Sequence, residues 1–128
     1  MHMKQQLAAL ACLGICLSAA AGARAESPCE TASTHLLDAL DKGDYAGATA
    51  DFNDTMKARL LPEKLGQIWP AVAQQFGERG ARDAATTIPA GDLTVVLTPL
   101  HYGQSTIDSK VTCDAQGKVA GFFIQPHH

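Results

Sequence analysis

"TIDSKVTCDAQGKVAGFFIQ", residues 106–125, is the stretch that decides the fold. Its first eight residues alternate in character, so Ile107, Val111 and Cys113 share one face of a predicted strand. Residues 114–117 supply a tight turn, in which the final glycine can adopt the positive φ that hairpin turns require. Residues 119–125 then read as a last strand, apolar on both faces and therefore expected to be covered on both. The stretch predicts an antiparallel β-hairpin.

Two further strands are predicted upstream of this hairpin. Residues 93–100 are rich in β-forming side chains, and residues 81–88 carry a weaker strand signal. Turn signals follow each of them, at Pro89 to Asp92 and at Tyr102-Gly103. Four consecutive strands joined by short turns predict an antiparallel meander.

The first half of the chain repeats its apolar residues at helical spacing. A capped start at Ser27-Pro28 leads into a face that carries Cys29, Ala32, Leu36 and Leu40, and Gly43 suits a left-handed end. A short helix capped by Asp44 follows, and then a short turn that runs to Leu60.

A third helix begins at Pro62, and its buried stripe consists of Leu65, Ile68, Trp69, Val72 and Phe76. Pro70 removes a backbone hydrogen bond inside it, which predicts a kink within one continuous helix. Helices followed by strands predict an α+β fold, with three N-terminal helices packed on one face of a four-stranded antiparallel sheet.

The first 25 residues are typical of a secretory signal peptide. A basic start precedes a continuous apolar run from Leu7 to Ala21, and Ala23-Arg24-Ala25 supplies a small-x-small cleavage site. The run is shorter than the roughly 20 residues that a membrane span needs. We therefore expect residues 1–25 to be removed. Residues 26–128 then form one periplasmic or secreted domain without a membrane span.

The charge of the predicted mature chain argues against nucleic-acid binding. Lys4 and Arg24 leave with the signal, and the remaining 8 basic and 13 acidic residues give a net charge of −5 with histidine neutral. The sequence shows no cluster of basic residues that would follow a phosphate backbone.

Two of the four cysteines remain after cleavage, Cys29 and Cys113. Cys29 shares the inward face of helix 1 with Leu36 and Leu40, and Cys113 shares the inward face of its strand with Val111. Both therefore point into the same core, and an oxidising compartment allows them to pair. We expect a Cys29–Cys113 disulfide.

Several short motifs resemble a bacterial family called domain of unknown function 3887. The similarity covers about residues 36–126 and is carried by Gly43-Asp44-Tyr45, Phe52 with Met56-Lys57, residues 62–65 with Trp69, and residues 114–123. Leu61, where the family usually has a capping Ser or Thr, and Pro70 depart from the pattern. The resemblance implies a cone-like fold of the nuclear transport factor 2-like, cystatin-like superfamily. It also implies dimers built sheet to sheet, and it supplies no catalytic residue.

The polar residues Asp51, Asn53 and Asp54 are the first candidates for chemistry. They could act as an acid/base or metal pair, but no third ligand is near in the sequence, and capping between two helices is the favoured interpretation. A proton-handling pair of His101 and Tyr102 is a second candidate, weighed against a simple hairpin turn. No metal-binding spacing, nucleophile elbow or phosphate loop is found. We assign no catalytic residue, metal or cofactor.

Four aromatic residues could line a pocket inside the cone: Phe52, Trp69, Phe76 and Tyr102. A domain of this size could equally fill the cone with them. The first alternative predicts a small cavity enzyme or a carrier of an apolar ligand. The second predicts a non-catalytic binding or assembly module, with an envelope protein or a second copy as its partner.

The module interpretation needs a binding surface, and the uncovered face of the sheet is the candidate. Three helices can cover only one face of four strands, so an apolar patch is expected on the other. The expected members of that patch are Thr94, Val96, Thr98, Leu100, Phe122 and Ile124. Together they predict a homodimer formed through the sheet.

Overall fold

The structure, a computed structural model, describes residues 27–128. The predicted signal peptide and its cleavage site lie outside these residues. Within residues 27–128, no helix combines the length and the apolar character that crossing a membrane requires.

Four helices occupy the first half of the described chain: α1 (Pro28–Lys42), α2 (Tyr45–Ala48), α3 (Asp54–Arg59) and α4 (Pro62–Phe76). The Ser27 side chain accepts a hydrogen bond from the Glu30 amide at 3.0 Å, which fixes the start of α1. Gly43 ends that helix with φ of 77°, a left-handed conformation that glycine adopts without strain.

The helix count differs from the predicted three because the turn before Leu60 is itself a helix. Asn53 caps this helix, α3, and its side chain accepts a hydrogen bond from the Met56 amide at 2.8 Å. Helix α4 runs without a break through Pro70, in agreement with the prediction of one helix. Leu61 precedes it and makes no side-chain capping bond.

Five strands follow: β1 (Arg79–Arg82), β2 (Thr86–Ala90), β3 (Leu93–Tyr102), β4 (Ser105–Cys113) and β5 (Val119–Pro126). All pairings between these strands are antiparallel, with β3, β4 and β5 adjacent in that order. The α+β class and the meander are therefore confirmed.

The fifth strand arises because the single strand predicted over residues 81–88 is interrupted. Strands β1 and β2 pair with different halves of β3, along the same edge. Pro99 lies at the interruption, where its carbonyl accepts from the Asp83 amide at 2.9 Å. Proline has no N–H to return to the edge strand, so regular pairing cannot continue there.

The core lies between the helices and one face of the sheet. In the β3–β4 ladder Val96 opposes Val111 and Leu100 opposes Ile107, and all four side chains are buried. Directly opposed residues of an antiparallel pair share a face, so these four define the inner face. Residues Leu36, Leu37 and Leu40 of α1 belong to the same buried cluster.

The predicted outer patch was wrong. Val96 is 0 % exposed, and Leu100, Thr98 and Phe122 are also buried. Thr94 is paired with the inward Cys113, and Ile124 packs against the core. Strand β3 is apolar on both faces, so its own sequence does not show which face points inward. Pairing with β4, whose alternation is clear, decides it.

The expectation that β5 is covered on both faces was also wrong. Phe123 alternates with the inward Phe122 and remains 61 % exposed. No helix among residues 27–128 packs on that side, because the helices contribute their buried residues to the cluster on the inner face.

A disulfide joins Cys29 at the start of α1 to Cys113 at the end of β4, as predicted. The two Cα atoms are 5.7 Å apart although the residues are 84 positions apart in sequence. Both side chains are almost fully buried, at 2 % and 0 % exposure. The bridge therefore ties the start of the first helix to the end of β4, a strand with neighbours on both sides.

Candidate functional site

A cleft of about 560 Å³ opens at one end of the inner face, between the C-terminal end of α1, helix α4 and strand β1. We call it the β1 cleft. Its walls are formed by Leu40, Asp41, Lys42, Gly43, Tyr45, Trp69, Pro70, Ala73, Arg79, Gly80 and Tyr102. The cleft is therefore mostly apolar, with a small number of charged groups at one side, as small-molecule sites commonly are.

The charged side of the β1 cleft is an ion-pair network between α1 and β1. Asp41 accepts from Arg79 Nη1 at 3.0 Å and from Arg82 Nη2 at 3.1 Å, and Arg82 Nη2 also donates to Asp38 at 2.9 Å. Asp38 and Asp41 are three residues apart and so project from the same side of α1. The network holds the edge strand β1 against the helix layer.

Aromatic rings line the cleft beside this network. The Trp69 and Tyr102 ring centroids are 6.5 Å apart in an edge-to-face arrangement. The Arg79 guanidinium carbon lies 5.7 Å from the Tyr102 ring centroid, within the range of a cation–π contact. Burial raises the pKa of the Tyr102 phenol; Arg79 opposes that rise and Asp41 adds to it. The phenol therefore keeps its proton at neutral pH.

Of the four aromatic residues predicted to line a pocket, the structure brings two together in the β1 cleft, Trp69 and Tyr102. Phe52 is buried beside Val119, near the opposite end of the sheet. Phe76 packs against the core and is not part of the cleft wall. The ligand-binding role of these residues stays a prediction.

Arg79 and Asp41 were not among the predicted site residues. Their pairing spans 38 positions and depends on β1 meeting α1, which no local pattern encodes. The available signal was the spacing of Asp38 and Asp41 on one helix face; Arg79 and Arg82 are three residues apart and share a side of β1 because the register shifts between them. That signal indicates charge pairing but does not indicate a cleft.

The polar residues near Asn53 form a structural joint, in agreement with the favoured interpretation. The Asn53 amide donates to the Val119 carbonyl at 2.9 Å, and the Val119 amide donates to Asp51 at 2.8 Å, which adds residues 51–53 to the edge of β5. Asp51 also lies 3.3 Å from Nδ1 of His35 at the surface.

The joint also reaches the β4–β5 turn through Asp114. The Asp114 carboxylate accepts from Asn53 Nδ2 at 3.1 Å and from the Lys118 and Gln116 amides, each at 3.0 Å. The Asn53 bond, followed by the two backbone bonds, lowers the pKa of Asp114. The ionised carboxylate therefore holds the turn closed and fastens it to the start of α3.

We expect Asp114→Asn to lower the melting temperature at pH 7 and to lower it by a smaller amount in acid. A carboxylate whose pKa is lower in the folded state stabilises the fold at pH values above its unfolded-state pKa, near 3.8. That stabilisation is lost as the pH falls through the folded-state pKa. Thermal unfolding of both proteins at pH 7 and at about pH 3 measures the difference. Asp92→Asn, the same charge change in the β2–β3 turn, is the control. A gap that stays constant between the two pH values contradicts the assignment.

His101 and Tyr102 do not form the pair considered from the sequence. They are consecutive in β3 and therefore point to opposite faces of the sheet. His101 Nε2 lies 3.0 Å from Asp83 Oδ1, and Nδ1 lies 3.4 Å from the Thr106 hydroxyl. No group of three or more His, Cys, Asp or Glu side chains that could hold a metal is found between residues 27 and 128.

The face of the sheet opposite the helices carries a second candidate surface. The strand pairings place Ile88 beside Val95, and Leu97 beside Lys110, which is in turn beside Phe123. Exposure is 40 % at Ile88 and 61 % at Phe123. We call this surface the outer sheet face and define its apolar members as Ile88, Leu93, Val95, Leu97, Pro99 and Phe123.

A family model matches most of the chain. Its description is "Protein of unknown function (DUF3887)", and it covers residues 33–122. No curated protein and no solved structure matches. The matched range includes all the residues that form the β1 cleft and most of the outer sheet face.

Proposed function

Since the chain belongs to the DUF3887 family, we propose that it is a small exported module, without catalysis of its own, that acts by binding and assembly. The N-terminal sequence pattern of a signal peptide supports export, and so does the Cys29–Cys113 disulfide, a bond that persists in oxidising compartments. We place the domain in the periplasm or outside the cell.

The observation that carries the proposal is the outer sheet face. Its apolar side chains lie on β2, β3 and β5, with Lys110 and Thr112 of β4 between β3 and β5, and the most exposed of them is Phe123. Gly121 has no side chain, and the ring of Phe123 lies beside it, 3.5 Å from where a Cβ would be. Exposed apolar residues grouped on one face of a sheet are typical of interaction sites in soluble proteins.

We assign a second copy of the chain as the occupant of this face. Lys110 lies on the outer side of β4 between Leu97 and Phe123, whereas Asp108 on the same strand is buried and lies 2.7 Å from Nδ1 of His127. A twofold axis in the interface plane, perpendicular to β4, brings the outer sheet face of one copy onto the same face of the other. The exposed apolar residues of both copies, Phe123 among them, are covered in such a symmetric dimer.

We also propose that the domain belongs to the nuclear transport factor 2-like superfamily. Helices on one face of an antiparallel sheet, with a cleft at one end of the inner face, are features of a nuclear transport factor 2-like cone. Dimers built sheet to sheet are what that resemblance implies.

We expect the wild-type chain, produced in full and recovered from the bacterial envelope, to start at Glu26 by intact mass and to sediment as a dimer at micromolar concentration. Phe123→Glu should dissociate it to a folded monomer, because two carboxylates are then brought into an apolar interface. In the monomer the new carboxylate is tolerated, since position 123 is exposed and pairs with Lys110.

Leu61→Glu is the matched control, because Leu61 is 49 % exposed but precedes α4 on the helix side. This variant should stay dimeric. A monomeric wild type, or a Phe123→Glu protein that remains dimeric, rejects the assembly through the outer sheet face. Recovery of a chain that still begins at Met1 rejects the export.

A further inference from the structure

The Arg79 side chain has hydrogen-bonding capacity that the described residues do not use. Its Nη1 donates to Asp41 at 3.0 Å, but Nε and Nη2 are buried and have no hydrogen-bond partner. The Tyr102 ring beneath the guanidinium attracts its charge but offers no oxygen to these N–H groups. Buried charged donors without acceptors are rare in folded proteins, and each needs an explanation.

The two unused nitrogens belong to one edge of the guanidinium. Their N–H bonds are nearly parallel, and this is the edge that grips both oxygens of a planar carboxylate. Arg82, three residues along the same strand, uses its Nη2 for Asp38 and Asp41 together. Asp41 is thus shared between the two arginines, and the Nε–Nη2 edge of Arg79 is left for a carboxylate from elsewhere.

The β1 cleft supplies the space for the rest of such a molecule. Leu40, Tyr45, Trp69 and Ala73 form apolar or aromatic walls beside Arg79. A flat hydrocarbon body fits against such walls, and Trp69 offers a broad ring surface.

We propose that the β1 cleft binds a small monocarboxylate with an aromatic or similarly flat apolar body. Its carboxylate takes the Nε–Nη2 edge of Arg79 once the guanidinium turns these two buried nitrogens towards the cleft, and its body packs against Trp69. This site lies on the inner side of the sheet and is independent of the proposed dimer face.

Charge and geometry favour a carboxylate over other ligands. A neutral apolar molecule leaves the two Arg79 donors without an acceptor. The charged residues of the cleft wall, Arg79 and Lys42 against Asp41, sum to one positive charge, which a monocarboxylate matches and a phosphate dianion exceeds. Tyr102 stays protonated, because burial raises the pKa of its phenol, so no second negative charge opposes the ligand.

The test uses the fluorescence of Trp69, the chain's sole tryptophan, with benzoate as the probe. Titration of the wild-type protein should give a saturable change, with a dissociation constant below about 1 mM. Benzamide has the same shape without the charge and should bind at least about tenfold more weakly. Inorganic phosphate should not compete.

Two arginine substitutions test whether benzoate binds at Arg79. Arg79→Lys keeps the charge and loses the two-pronged edge, so affinity for benzoate should fall at least about tenfold. Arg82→Lys is the matched control, because Arg82 belongs to the same ion-pair network but does not line the cleft. Its affinity should stay within about twofold of the wild type.

A third variant addresses the case in which Arg79→Lys does not fold. Ala73→Leu leaves Arg79 unchanged and fills part of the cleft, so it too should weaken benzoate binding. The proposal is overturned by a wild type that shows no saturation by about 10 mM benzoate, by equal binding of benzamide, or by unchanged affinity in Ala73→Leu or in a folded Arg79→Lys.

Discussion

Val96→Glu should prevent the domain from folding, whereas Val95→Glu one residue earlier should leave it folded. Val96 is fully buried opposite Val111, so the new carboxyl group would enter the core without a partner. Losing the valine contacts and burying an unpaired polar group together cost at least about 4–5 kcal/mol. That is comparable with the whole stability of a small domain, roughly 5–15 kcal/mol.

Val95 provides the control because it faces the other way. It lies on the outer sheet face between Ile88 and Thr112, so in the folded monomer its carboxylate remains in water, even where the proposed dimer dissociates. Circular dichroism and urea unfolding of both variants measure the contrast. A cooperative, folded Val96→Glu protein, or a Val95→Glu protein that is equally unfolded, contradicts the assigned faces of β3.

Removing the disulfide should also lower the stability of the domain by a large amount. The bridge closes a loop of 84 positions between α1 and β4, and a loop of that length stabilises by about 4 kcal/mol in the chain-entropy account. We expect the double variant Cys29→Ala/Cys113→Ala to unfold at a urea concentration lower by about 2 M or more, given the usual dependence on denaturant for small domains.

The reduced wild-type protein is the matched comparison for the double variant. It has the same side chains without the bond, so it separates loss of the bridge from loss of two buried sulfur atoms. Both should unfold well before the oxidised protein. Midpoints within about 0.5 M urea of the oxidised wild type would contradict a stabilising role for the bridge.

Local patterns predicted most of the elements in this chain. The apolar residues of α1 and α4 recur every three or four positions, and both helices have the bounds that their capping residues indicate. The β4–β5 hairpin follows from its alternation and its glycine turn. Such features depend on neighbours within a few residues, which a single sequence contains in full.

Features that depend on distant partners were predicted less well. Pro99 of β3 has no N–H to donate to the neighbouring edge strand. The weak strand predicted over residues 81–88 is therefore divided into β1 and β2. Of the aromatic residues considered together, Phe52 and Tyr102 lie near opposite ends of the sheet. Arg79 reaches Asp41 across 38 positions, and nothing near either residue predicts that contact.

By itself, the sequence determined the α+β class, the helix starts, the hairpin and the pairing of Cys29 with Cys113, because each follows from local spacing or from which face an element buries. Only the tertiary structure decided which face of β3 is the outer one and which residues form the β1 cleft. Strand β3 is apolar on both sides, so its own residues favour neither orientation. Its register with β4 turns Val96 inward and Val95 outward, and the packing of α1 on β3 and β4 brings Asp41 to Arg79 on the neighbouring strand β1.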